Sequence, residues 1–256
     1  MLMKIDLNCD MGESFGLHVQ GNDEEMMKYI SSANIACGFH SGDPHVMRKT
    51  VEMAKKYDVE IGAHPGLPDL VGFGRRKMDC TPSEMKDFIT YQMGALREFA
   101  RAENVHIEHC KPHGAFYMQA MEDREVARAI LEAINEIDKN TIVFAVNNSV
   151  MLDEANKMGI PVAREGYADR EHTKDGSLVM TRTSEAAEDY EAMAQRVVRM
   201  VREKKVITHD KQDADIDVQT ICIHGDTPTA PQLAKSIVSA LKAAEIDIKP
   251  VREIIK

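Results

Sequence analysis

No apolar run in this chain approaches the roughly 20 residues needed to cross a bilayer, and no basic segment followed by an apolar stretch opens it, so a cytoplasmic protein without membrane contact is expected. Lys and Arg do not gather into a patch. With a formal net charge of -10, nucleic acid is excluded as a partner, because holding phosphates requires clustered cations. Cys9, Cys37, Cys80, Cys110 and Cys222 are an odd set without a CxxC pair, which removes a zinc knuckle and a disulfide framework and leaves reduced thiols. Neither GxGxxG nor GxxxxGK(S/T) lies at the first strand-helix turn, and HExxH is absent. The first two absences weaken a doubly wound nucleotide-binding fold, and the third removes the local spacing of a zinc protease.

What is present is alternation. The 256 residues, 43% of them hydrophobic, are enough for a single domain over 1–256 with a full core. Ile5, Leu7 and Cys9 alternate with Asp6, Asn8 and Asp10 from Lys4 to Asp10, a strand with one apolar and one polar face. Further strands are expected at Ala33–Cys37, Val59–His64, Val105–Lys111, Ile142–Val146, Ile160–Arg164 and from Thr220. Between them fall a weak helix near Glu24–Ser31 and a helix capped by Asp43 that runs to Tyr57. A longer one opens on the capping box Thr81-Pro-Ser-Glu84, and others begin near Asp123, end at Gly159, span Ser184–Glu203 and span Thr229–Ala244. The polar stretch after Arg164 is expected as a lid or small hairpin, and His209–Asp217 as an exposed loop. About seven strand-helix units predict an α/β fold, a parallel β/α barrel.

Barrel chemistry sits on the loops after the strands' carboxyl ends, where this chain concentrates its polar clusters. If the apolar file of the first strand faces the helices, Asp6, Asn8 and Asp10 point inward. Equivalent parity brings in Asn34, His64, His109, Lys111, Cys222 and His224. So many ionisable groups inside must be paired or used. Asp10 is a candidate base with Glu13 as its partner; His40, in GFHSGD, and His64, before a Pro-Gly turn, are candidate site residues. Lys111, beside Pro112 and His113, can hold a carboxylate or an oxyanion, or act as a base if burial lowers its pKa. Arg75 and Arg76 are candidates for clamping an anion, and Cys222 reads as a small buried thiol more readily than as a nucleophile. Asp10, His40, His64, His113 and His224 are metal-ligand types, yet no local spacing supports a site and no metal is assigned.

The blocks DLNCDMGESFG, NIACGFHSGDP, IGAHPGLPD with GFGRR, KPHGAFY, EGYADREH and ICIHGDTP resemble the pattern of the LamB/YcsF family from Asp6 to about Leu241. That resemblance implies a seven-stranded barrel like that of polysaccharide deacetylases. It also implies ATP-dependent opening of 5-oxoproline to L-glutamate in a complex with partner subunits B and C, ATP being bound mainly by those partners. Asp10, His64, Lys111 and His224 are then the expected catalytic residues. Asn8, Glu13, His40, Arg75, His113, Asp169, Arg170 and Asp226 are expected around the substrate. The chain departs from the pattern at His172, where an aromatic residue is usual, and near Ser184–Ala186, where Pro-Gly-Ala is usual. A metal-dependent deacetylase or amidohydrolase at the same barrel mouth is the alternative reading, and a non-catalytic subunit that binds a small anion is a third.

Overall fold

Both files of the first strand are buried. In β1 (Met3–Met11), Ile5, Leu7 and Cys9 join the apolar core, while Asp6, Asn8 and Asp10 bond to side chains of other strands. A strand covered on both faces belongs to a parallel sheet sheathed in helices. The computed structural model of the chain describes residues 2–174 and 189–255. Following β1 come α1 (Asp23–Met26), β2 (Ser32–Ala36), α2 (Pro44–Tyr57), β3 (Glu60–His64), α3 (Pro82–Ala102) and β4 (Ile107–Cys110). Then come α4 (Gly114–Glu122), α5 (Arg124–Ile137), β5 (Ile142–Val146), α6 (Val150–Met158) and β6 (Val162–Tyr167), each strand parallel to the one before it. After α7 (Tyr190–Glu203), β7 (Lys205–Ile207) and β8 (Asp213–Asp215) form an antiparallel pair outside the barrel. β9 (Thr220–Cys222) runs between β6 and β1 and closes the seven-stranded ring. α8 (Ala230–Ala243) follows, and β10 (Ile246–Ile248) pairs with Met3–Ile5 at the start of β1.

Local chemistry explains the long helices. Asp43 accepts from the backbone N–H groups of His45 and Val46 with Pro44 in the first turn, and Thr81 and Glu84 cap each other's backbone reciprocally. α3 buries Met85, Ile89, Met93, Leu96 and Ala100, the stripe expected of a helix that covers a barrel. Ile142, Phe144 and Ala163 pack with Val251, from a short 3-10 helix (Val251–Glu253), as a separate small apolar cluster. No helix among the described residues is long and apolar enough to cross a membrane.

The structure corrects four expectations. The first helix is a single turn from Asp23 rather than a run from Glu24 to Ser31. A helix not expected at all, α4, precedes α5. β6 starts at Val162 and runs on to Tyr167, so Glu165 and Tyr167 are barrel residues rather than the start of a lid. His209–Asp217 contains β8, whose Ala214 is buried opposite Val206 of β7. The expected lid beyond residue 174, the expected helix start at Ser184 and the departure near Ser184–Ala186 lie outside the described residues.

Candidate active site

Inside the barrel, polar side chains stack in layers. Deepest is Asp6, fully buried, which accepts from the hydroxyls of Ser31 and Ser32 at 2.7 Å each and from Thr220. One layer up, Asn8 donates its amide to Thr220 Oγ1 at 2.7 Å and Glu165 Oε1 at 3.1 Å, and accepts from Asn34 at 2.7 Å. Asn34 also donates to Asp10 Oδ1 at 2.8 Å and accepts from His109 Nε2 at the same distance. His109 fits because β3 carries Gly62 opposite it: a Cβ there would lie 2.1 Å from the imidazole. Burial, then the Lys111 charge, pushes His109 down to about 3, so it is a neutral strut.

Lys111 is the hub of the upper layer. Its ammonium lies 3.1 Å from Asp10 Oδ1, 3.0 Å from Glu165 Oε1 and 3.2 Å from Cys222 Sγ. Glu165 accepts in turn from Tyr117 at 3.0 Å and Tyr167 at 2.6 Å. Each charge pair at this separation is worth about 5 kcal/mol at an effective dielectric of ~20, and stripping water from each ion costs several kcal/mol. The two nearly cancel, so the network sets geometry and charge rather than adding stability. Burial alone would lower the lysine pKa, but Asp10 and Glu165 outweigh it and hold the group well above its usual range. That removes the option of Lys111 as a base. Asp10 is the counterpart: burial raises it, and His64 and Lys111 together pull it well below the normal carboxylate range.

Beside this hub sits a histidine cluster built from three loops and a strand end. His64 Nδ1 meets the Lys111 carbonyl at 2.7 Å, and its Nε2 lies 2.9 Å from His113 Nδ1 and 3.5 Å from Asp10 Oδ2. His113 Nε2 meets the Phe73 carbonyl at 2.8 Å. His40, fully buried, stacks on His113 with ring centroids 3.7 Å apart. Glu13 Oε1 is 3.4 Å from His40 Nε2 and 3.7 Å from His113 Nδ1. Gly66 and Gly74 let the backbone close over these rings, since a Cβ on Gly66 would sit 2.4 Å from His40 Nδ1 and one on Gly74 would sit 2.9 Å from His113. Burial lowers His40 and His113 well below the imidazole range and raises Glu13. Glu13, His40, His64 and His113 offer ligand atoms all within 4.8 Å of one another, as do Asp10, Cys222 and His224.

On the opposite wall, His224 Nδ1 pairs with Asp169 at 2.9 Å. Burial works against its charge, but Asp169 holds His224 well above its usual pKa, as an imidazolium. Arg170 pairs with Asp169 at 2.8 Å. Among the described residues Arg75 forms no ion pair, and its guanidinium lies over Phe73 at 5.0 Å. These walls enclose a cleft of about 340 Å³ lined by Asp10, Glu13, His64, Arg75, Lys111, His113, Tyr117, Tyr167, Arg170, His224 and Asp226. The volume suits a small polar molecule.

The residues expected from sequence are thus brought together at one mouth, with distinctions. Asn8 and His40 lie behind the lining rather than on it, and Asp169 reaches the cleft through His224 and Arg170. Arg76 faces outward and is tied to Asp69, so it is no clamp. Asp43 is a helix cap and Cys222 a buried thiol whose pKa burial raises. His172, where the chain was expected to depart from the family pattern, is fully buried and pushed to about 3 by burial, and it accepts from Arg196 at 2.6 Å. Sequence reasoning missed Glu165, Tyr117 and Tyr167. The period-two alternation of Ala163, Glu165 and Tyr167 was the available signal.

Fold and site together define an enzyme of the parallel β/α-barrel class, with acid-base groups and cations at the carboxyl mouth. The chain belongs to the LamB/YcsF family, whose model matches residues 5–256. A Pyrococcus horikoshii protein named as the A subunit of 5-oxoprolinase is 48% identical over 255 residues, covering 99% of this chain and 100% of its own. One of the same name from Clostridium beijerinckii is also 48% identical over the same shares. The crystal structure of a lactam utilization protein from Thermus thermophilus superposes with a TM-score of 0.90 at 41% identity, covering 96% of this chain and 99% of that one.

Proposed function

We propose that this chain is the A subunit of an ATP-dependent 5-oxoprolinase, opening the cyclic amide of 5-oxo-L-proline to L-glutamate. One observation carries the reading: along 99% of its length the chain is similar to proteins named as the A subunit of 5-oxoprolinase. Its own cleft supplies groups that reaction needs. The net reaction consumes two waters: one supplies oxygen to the ring carbonyl carbon as the carbon-nitrogen bond breaks and the nitrogen gains a proton, and the other takes up the phosphoryl group as ATP yields ADP and phosphate. A lactam is resonance-stabilised, and transfer of a phosphoryl group from ATP to its oxygen makes the carbon open to attack by water; breaking the carbon-nitrogen bond then leaves an acyl phosphate, which the second water hydrolyses to carboxylate and phosphate.

Arg75, with Arg170 at the rim, holds the substrate carboxylate, while the Lys111 ammonium faces the oxygen where negative charge gathers. Ionised Asp10 accepts a proton from water, and the His224 imidazolium donates one to the leaving nitrogen. Glu13, His113 and Asp226 line the substrate's remaining faces. Partner subunits B and C carry most of the ATP site, because this chain has no phosphate-binding loop. ATP consumption and the free thiols Cys9, Cys37, Cys80, Cys110 and Cys222 fit a cytoplasmic enzyme. The metal-dependent amidohydrolase reading draws on the Glu13, His40, His64 and His113 cluster.

Reconstitution with subunits B and C, with and without ATP, separates the readings through glutamate release. ATP-dependent release is expected, falling by about 1000-fold in Asp10→Asn and in Lys111→Met. Near-normal release by either variant removes that residue's role, and ATP-independent release by the chain alone favours the amidohydrolase. Uptake of 5-oxoproline without turnover in the full complex would mean that the chain only binds.

A further inference from the structure

We propose that Glu13, His40, His64 and His113 hold one divalent first-row transition-metal ion in the wall of the cleft. Four ligand types of the right kind converge, with atoms all within 4.8 Å of one another. Their hydrogen bonding shows how two of the rings are oriented. His64 Nδ1 lies 2.7 Å from the Lys111 carbonyl and His113 Nε2 lies 2.8 Å from the Phe73 carbonyl. A carbonyl oxygen only accepts, so each of these nitrogens carries the ring proton. The other two nitrogens, His64 Nε2 and His113 Nδ1, lie 2.9 Å apart at the centre of the cluster.

His40 adds a third imidazole, wholly buried, with neither ring nitrogen in a hydrogen bond, and Glu13 Oε1 is likewise buried without one. Unpaired polar atoms packed together under glycines are costly to a protein alone and natural around a cation. The separations fit as well. Ligands about 2.0 to 2.1 Å from a tetrahedral ion stand about 3.3 Å from each other; three of the pairs here stand 2.9, 3.4 and 3.7 Å apart, and all lie within 4.8 Å. Carbonyls behind two of the rings are the outer partners that orient metal-bound histidines.

The second group, Asp10, Cys222 and His224, does not compete. The Lys111 ammonium already sits 3.1 Å from Asp10 and 3.2 Å from Cys222 Sγ, and a second cation there would be repelled. Three of the proposed ligands, Glu13, His64 and His113, also line the cleft, so a bound ion would supply a Lewis acid at its edge.

The purified full chain, stripped with a chelator and dialysed, should be titrated with Zn2+ alone, then with Co2+. One ion per chain is expected, with micromolar or tighter affinity and a higher thermal midpoint. The Co2+ form should show visible d-d bands of a nitrogen and oxygen site, without a thiolate charge-transfer band. Glu13→Gln and His113→Ala should each weaken Zn2+ binding by about 100-fold, with circular dichroism reporting on folding, while the exposed His106→Ala leaves it unchanged. Failure of the wild-type chain to bind Zn2+ and Co2+ overturns the proposal. So does a charge-transfer band lost in Cys222→Ser, or binding that survives the Glu13→Gln/His113→Ala double substitution.

Discussion

Asp6 is a carboxyl group kept inside the barrel by hydroxyls alone. Ser31, Ser32 and Thr220 donate to it, yet burial prevails and lifts its pKa from 3.8 to about 6. The folded state therefore binds this proton more tightly than the unfolded chain. The resulting stability is complete below about pH 4 and is lost as pH rises through 6, a loss of about 3 kcal/mol. Urea unfolding at pH 4 to 7 should show that decline in the wild type and not in Asp6→Asn; parallel slopes for the two proteins would refute it. The inward file Asp6, Asn8 and Asp10 was legible because a strand's period is two. The fate of Lys111 was not, because one of the carboxylates that keep it charged, Glu165, comes from a strand residue taken for loop.

Helices with polar starts announced themselves. The Thr81 and Glu84 box caps α3 at an exposed end, so Thr81→Ala should cost about 1 kcal/mol in chemical denaturation without changing any cleft property. No change in the unfolding midpoint would mean that packing alone fixes this terminus. α4 gave no such warning. It starts at Gly114 with φ +51, two residues past a proline, and buries Ala115, Phe116, Tyr117, Ala120 and Met121 without a polar face long enough to read. β7 and β8 hid for the opposite reason: three residues each, with Asp213 and Asp215 exposed, they look like solvated chain.

At the scale of the molecule, closure was readable from the repeated strand-helix alternation, and β9 does lie beside β1. The histidine cluster was only partly readable, because its members come from separate turns and no spacing links them. The barrel's apolar Val251 contact lies in a cluster apart from the cleft residues. Val251→Ala should therefore lower stability by about 2 kcal/mol while leaving glutamate release per folded complex unchanged. A matching fall in release would show that this cluster and the mouth are coupled.

Lys111 enters the mouth twice, once through its ammonium and once through the carbonyl that orients His64. Only the first contribution depends on which amino acid is present. Any residue that keeps the chain trace at this position would go on fixing the His64 tautomer. The two halves of the mouth can thus be lost separately in descent: a copy that had given up the lysine would still inherit an intact nest of imidazoles, ready for other chemistry.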